Sequence, residues 1–143
     1  MSPRRVVFVC TGNICRSAMA EAMAAATHGG GEVAFESAGV RAMVGWSATR
    51  TAEAVCAEIG VDAGGHRARQ FTRQMAESAD RIYVMTAEHL RAVLRIAPDA
   101  AHKTEMLRPD GADIEDPYGL SDSVYRACRD EISAALTARA GEL

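Results

Sequence analysis

The stretch Val9-Cys10-Thr11-Gly12-Asn13-Ile14-Cys15-Arg16-Ser17 places a thiol and a guanidinium in a C-x5-R arrangement, where an apolar β-branched run gives way to a helix-forming one. The chemistry this suits is covalent transfer of a tetrahedral anion. Backbone N–H groups at a helix amino terminus are unpaired and carry partial positive charge, so a loop of this length can wrap a phosphate dianion with several hydrogen bonds. Arg16 adds a fork of donors matched to two phosphoryl oxygens, which a lysine would not supply as well. Gly12 is expected to take a positive φ and bring the backbone close to the anion, and Asn13 is the non-glycine residue best suited to a left-handed position. The same field favours the thiolate form of Cys10, an activated nucleophile with no need of an adjacent base. Ser17 can donate a hydrogen bond to that sulfur and stabilise it as a leaving group. The phosphate-binding loop is therefore Thr11, Gly12, Asn13, Ile14, Cys15, Arg16 and Ser17. C-x5-R alone is a loose pattern, since a cysteine at a strand end is most often a small buried hydrophobe. The strand before it, the helix after it and the Gly, Asn and Ser inside it favour the phosphate site.

Expelling a poor leaving group also needs a proton, and an ionised Cys10 cannot supply one. Asp116 is the candidate acid, in a loop from Arg108 to Gly119 rich in Asp, Pro and Gly. Pro117 restricts the residue before it to extended backbone, which lets the carboxyl project toward a ligand. Asp113 and Glu115 are rivals on spacing alone, and an Asp-Pro pair by itself reads as a turn.

Positioning these groups requires a sheet whose strand ends open into helix starts. Short apolar runs alternate with segments of helical period, which predicts a single-domain α/β fold with an open, mostly parallel four-stranded sheet flanked by helices. The expected strands are Val6–Val9, buried on both faces, Val33–Ala38, Arg81–Met85 and a weaker one over Lys103–Leu107. The expected helices are Ser17–Ala26, ended by Gly29-Gly30-Gly31; Ser47–Ile59, capped by Ser47 and closed by Gly60; Thr72–Ser78; Thr86 to about Ile96, stopped by Pro98; and one from Ser121 onward with Val124, Cys128, Ile132 and Ala135 or Leu136 on its buried side. In such a sheet ligands bind beyond the carboxyl ends of the strands, and the first such junction is Cys10 to Ser17.

Composition agrees with one compact domain of 143 residues. Hydrophobic residues make up 48%, enough for a core, and the net charge of −3 gives no general attraction to nucleic acid or to an anionic membrane. The basic start Met1–Arg5 is followed by an apolar run too short for a signal or membrane segment, so a cytoplasmic location is expected. Cys10, Cys15, Cys56 and Cys128 have neither disulfide-scaffold nor zinc-ligand spacing, so reduced thiols, no metal and no cofactor are expected.

Val9–Ser17 resembles the active-site signature of the low-molecular-weight protein tyrosine phosphatase family. Ser37-Ala38-Gly39 resembles its second-strand motif, His66-Arg67-Ala68-Arg69-Gln70 its central basic motif and Asp116-Pro117-Tyr118 its acid loop. The resemblance implies a phosphomonoesterase acting on a phosphorylated protein through a phosphocysteine, with Cys10 as nucleophile, Arg16 as phosphate clamp and Asp116 as acid. It further implies that Asn13, Ser17, Ser37 and His66 form a network supporting the loop and that Cys15 can form a disulfide with the nucleophile under peroxide, although Cys15 by itself reads equally as a buried packing residue; a monomer or weak homodimer is expected. By itself His66 reads as a solvated loop residue, Cys56 and Cys128 as core, and His28, His89 and His102 carry no pattern.

The departures concern the substrate. Ala18 replaces a usual proline. Ile14, Met43 and Tyr118 form the expected substrate wall, with Met43 where an aromatic residue often stands and Trp46 displaced from that place. Met85-Thr86-Ala87-Glu88-His89 and Asp116-Pro117-Tyr118-Gly119 resemble the bacterial branch that includes protein-arginine phosphatases. Ile14 in place of that group's threonine points to phosphotyrosine. A thioredoxin-coupled arsenate reductase would need a cysteine pair in the second half of the chain, and a phosphocysteine carrier of a sugar transport system would not need Asp116 or Arg16. A phosphopeptide-binding module without catalysis would be expected to have lost Cys10 or Asp116, and both are present.

Overall fold

The computed structural model describes residues 3–29 and 31–143. The turn at Gly30 and the first two residues of the basic start lie outside the described residues. Strands β1 (Arg4–Cys10), β2 (Val33–Gly39), β3 (Arg81–Val84) and β4 (Thr104–Met106) form one sheet in the order β2-β1-β3-β4. Every pairing is parallel, so the sheet is wholly rather than mostly parallel. The helices are α1 (Arg16–His28), α2 (Arg50–Ala57), α3 (Arg73–Ser78), α4 (Ala87–Ile96) and α5 (Asp122–Ala138), with short 3-10 turns over Pro98–Lys103 and Ala140–Glu142.

Val6, Val7, Phe8 and Val9 are apolar in sequence because β1 is central and both its faces are covered. Val6 and Phe8 face a core with Met19 of α1, Ala52 of α2 and Ile132 of α5. Val7 and Val9 face a second core with Phe71, Ala76 of α3 and Val93 of α4. The chain leaves β1 toward one sheet edge for β2 and returns to the other side for β3, which opens a crevice at the carboxyl end of β1.

Thr72, Thr86 and Ser121 cap their helices with side-chain oxygens accepting from Met75, His89 and Val124 N–H groups. The second helix departs from expectation. Its cap is Thr49 rather than Ser47, and it runs Arg50–Ala57. The cause is tertiary: Thr49 N–H donates to the Ile14 carbonyl at 2.9 Å, which fixes Thr49 in extended backbone just outside the helix. On α5 Val124 turns outward, 39% exposed, and Tyr125 takes the buried place beside Cys128 and Ile132. β3 ends one residue early, yet Met85 N–H still donates to Val9 O at 3.2 Å. The 3-10 turn at Pro98–Lys103 shortens the last strand to Thr104–Met106.

Gly39 ends β2 directly against the crevice. A Cβ there would lie 2.3 Å from the Thr11 carbonyl oxygen and 3.0 Å from Asn13 N. Both obstacles are backbone, so neither can swing aside. Gly39→Ala is expected to destabilise the fold by about 2–4 kcal/mol, read from the midpoint of urea unfolding, and to lower activity in the fraction that remains folded. A wild-type midpoint would show that the loop yields at this contact.

Candidate active site

Residues 11–15 turn from the end of β1 into α1 with no side chain capping the helix. The backbone N–H groups of residues 11–16 donate to no protein acceptor among the described residues, so they remain available to an anion. Asn13 takes the left-handed conformation at φ 60°, whereas Gly12 does not have positive φ. The expectation for Gly12 is thereby corrected: a Cβ there would make ordinary contact with Ile14 at 3.5 Å and Met43 at 3.6 Å, and the sharp reversal falls on the next residue. Cys10 is buried, with its Sγ 2.9 Å from Ser17 Oγ.

Four residues tie Asn13 in place. Its Nδ2 donates to Ser17 Oγ at 2.8 Å and to Ser37 Oγ at 2.9 Å, and its Oδ1 accepts from Arg69 N–H at 2.9 Å. His66 Nε2 donates to the Asn13 carbonyl at 2.5 Å, so His66 is part of this network and not a solvated loop residue. Ser17 Oγ accepts from Asn13, and its own proton has two acceptors in reach, the Cys10 sulfur at 2.9 Å and the more distant Ala38 carbonyl at 3.4 Å. Ser37 passes its proton on to Glu21 at 2.6 Å, a participant that motif reading did not find.

Arg16 is buried beneath the loop. Its Nη1 donates to the Ile114 carbonyl at 2.8 Å, Nη2 lies 3.7 Å from Asp116 Oδ2, and its buried Nε has no partner among the described residues. A buried unpaired guanidinium N–H is costly, and an anion in the crevice would satisfy it. Asp116 has a half-exposed side chain whose Oδ1 accepts from Tyr118 N–H at 3.1 Å, an Asx turn built by Pro117. Of its rivals, Asp113 is occupied in accepting from Ala87 N–H at 2.9 Å at the start of α4, and Glu115 is exposed. Ile114 N–H donates to the Met85 carbonyl at 2.8 Å, so the acid loop is pinned to the sheet one residue after its pin to α4.

A cleft of about 210 Å³ joins these parts, with Cys10, Cys15 and Arg16 at its base, Asp116 at its side, and Ile14, Met43 and Tyr118 along its walls. Arg41 also lines it, although nothing in the sequence singled Arg41 out. Trp46, half exposed, does not line it. Cys15 Sγ lies 3.3 Å from Tyr125 Oη, which accepts a hydrogen bond from Thr49 Oγ1 at 3.1 Å; burial pushes the Cys15 thiol up. Burial also raises Cys56 to about 11 and Cys128 to about 12. Both are buried thiols of the core. All four cysteines are free, no group of His, Cys, Asp or Glu among the described residues is arranged to hold a metal, and no helix among them is long and apolar enough to cross a membrane.

His89 is the residue whose sequence context was least informative. It is 3% exposed and its Nε2 lies 2.8 Å from Thr11 Oγ1. Burial, then the charge of Arg16, lowers its pKa from 6.5 to about 4, opposed by Asp113 and Asp116. Between those pH values the unfolded chain binds more protons than the folded one, so this contribution to stability is complete above about 6.5 and lost as pH falls toward 4. Urea unfolding followed across that range should show stability falling on acidification, with a shallower slope in His89→Gln. Equal slopes would remove His89 from the acid sensitivity.

The likeness to known proteins extends over the whole chain. A family model described as low molecular weight phosphotyrosine protein phosphatase matches residues 5–143. A protein-arginine-phosphatase of Geobacillus stearothermophilus is 38% identical over 146 residues, covering 99% of this chain and 97% of its own length. The low molecular weight protein-tyrosine-phosphatase Etp of Escherichia coli K12 is 38% identical over 122 residues, covering 84% and 81%. Among solved structures, Vibrio vulnificus Wzb in complex with benzylphosphonate has a TM-score of 0.93 at 31% identity, covering 98% of this chain and 99% of its own. With the family model matched from β1 to the last residue and relatives of this similarity on either side of the tyrosine and arginine division, the chain belongs to the low molecular weight phosphotyrosine protein phosphatase family.

Proposed function

We propose that this family member is a protein tyrosine phosphatase that hydrolyses phosphotyrosine monoesters through a phosphocysteine intermediate. The observation that carries this is the buried Cys10 sulfur beside Ser17, facing a loop of unpaired N–H groups, with the orphaned Arg16 Nε alongside. In the first step the Cys10 thiolate attacks phosphorus in line as the bond to the leaving oxygen breaks. Arg16 and the loop amides hold the equatorial oxygens, whose charge is stabilised by donors fixed in advance. Protonated Asp116 gives its proton to the leaving oxygen. In the second step the Asp116 carboxylate takes a proton from water as that water attacks phosphorus, and the S–P bond breaks to return the thiolate, stabilised by Ser17. No metal enters either step, because the protein donors suffice to hold the dianion.

The roles assigned to Asn13, Ser37 and His66 follow from their bonds: they hold the loop and do not touch phosphate. Apolar walls from Ile14, Met43 and Tyr118 suit an aryl ester better than a guanidinium, which would seek acidic or carbonyl partners. Met43 stands in for an aromatic wall. Cys15, lining the same cleft, fits a guard that condenses with peroxide-oxidised Cys10 to a disulfide with loss of water. A single compact domain, acting as a monomer or weak homodimer on phosphorylated protein in the cytoplasm, completes the proposal.

Phosphate release from phosphotyrosine and phosphoarginine peptides, measured without added metal, tests it. Wild type is expected to prefer phosphotyrosine, Cys10→Ser to abolish turnover, and Asp116→Asn to lower kcat by roughly 10²–10⁴-fold. Preference for phosphoarginine would show that the apolar walls do not set specificity. Phosphate binding with no turnover of either peptide would sink the hydrolase reading.

A further inference from the structure

His89 takes no part in the steps above, yet it is almost fully buried in the first turn of α4 and touches the first residue after the nucleophile. Its Nδ1 is buried with no hydrogen-bond partner among the described residues. Two protonation patterns are open to a neutral imidazole here. If Nδ1 carried the proton, a buried N–H donor would be orphaned; if Nε2 carries it, only a lone pair is left unused, which is the less costly of the two. The surroundings keep the ring neutral, since burial and the Arg16 charge both disfavour the cation and outweigh Asp113 and Asp116. Nε2–H therefore donates to Thr11 Oγ1. Thr11 is exposed and lines the cleft, and its hydroxyl, with the oxygen engaged by His89, has its own proton still to place.

We propose that His89 is a positioning residue that fixes the Thr11 hydroxyl as an additional hydrogen-bond donor to a phosphoryl oxygen in the cleft. The inference rests on the phosphatase reading. The loop amides and Arg16 supply the other donors, and the Thr11 side chain, lining the same cleft, adds one more. That donor is directed by a helix 78 residues further along the chain. His89 itself does not meet the substrate. Loss of a donor to a charged acceptor weakens binding by roughly tenfold or somewhat more.

The test uses p-nitrophenyl phosphate turnover with inorganic phosphate as competitor. Thr11→Val and His89→Leu should each raise KM and weaken phosphate inhibition roughly tenfold, and Thr11→Ser and His89→Gln should rescue most of that loss by restoring a hydroxyl and an N–H donor. Since the two residues act as one unit, the double variant Thr11→Val with His89→Leu should be no worse than either single variant. Ring ¹⁵N shifts of wild-type His89 should report the Nε2–H tautomer, unchanged from about pH 5.5 to 8. Single-variant effects that multiply in the double variant, an unchanged phosphate inhibition constant in Thr11→Val, or an Nδ1–H tautomer would each overturn the proposal. Thr11 is exposed, so its variants and the wild-type spectrum still decide if His89→Leu does not fold. Absence of p-nitrophenyl phosphate turnover in the wild type sinks the phosphatase reading, whereas turnover with unchanged phosphate affinity in Thr11→Val sinks this inference alone.

Discussion

Asn13 sits at φ 60°, a conformation that a residue with a Cβ avoids, and the hydrogen bonds that hold it there shape the whole phosphate loop. Left-handed backbone costs a non-glycine residue about 1–2 kcal/mol, an amount that the bonds to Ser17, Ser37, Arg69 and His66 together offset. A glycine would take the same φ more easily but would leave Ser17 without the donor that turns its proton toward Cys10. The asparagine side chain thus does two things at once. It fixes the reversal, and through Ser17 it sets the polarity around the sulfur.

The rest of the site is arranged around that reversal. Arg16 follows the loop into α1, and its bond to Ile114 fastens the acid loop to the same helix that presents the phosphate-binding amides. Asp113 fastens that loop a second time at the start of α4, the helix that carries His89. Cys10 and Arg16 come from the first loop and Asp116 from near the other end of the chain; Cys10 is bonded to Ser17, and Arg16 to the Ile114 carbonyl two residues before Asp116. Gly39 lets β2 close against the back of the loop, leaving only the cleft side of the amides open.

Local chemistry was legible in the sequence. The strand, loop and helix around Cys10 follow from apolar runs, capping residues and a guanidinium in register, all within one short segment. What was not legible depends on partners distant in sequence. Both Ser47 and Thr49 are good caps, and only the Ile14 carbonyl decides between them. Val124 and Tyr125 are neighbours on α5, and Tyr125 turns inward because Cys15 and Thr49 offer its hydroxyl partners. Gly12 looked like the flexible point of the loop, but the residue with enough side-chain bonds to sustain a left-handed backbone was Asn13. His89 showed nothing in sequence because its partner lies in the first loop, and spacing alone left Asp113 level with Asp116, whereas the start of α4 occupies Asp113.

The cleft walls are built differently from its floor. Met43 and Tyr118 are exposed, and neither side chain forms a hydrogen bond to the Asn13 network, to Arg16 or to Asp113. Mutational drift at these two wall residues therefore meets little structural resistance, whereas drift at the floor, or at the buried third wall residue Ile14, disturbs several elements together. Such a separation lets a lineage trade one phosphorylated client for another by small steps while its hydrolytic machinery stays intact, and it makes the walls the natural place to begin redesigning selectivity.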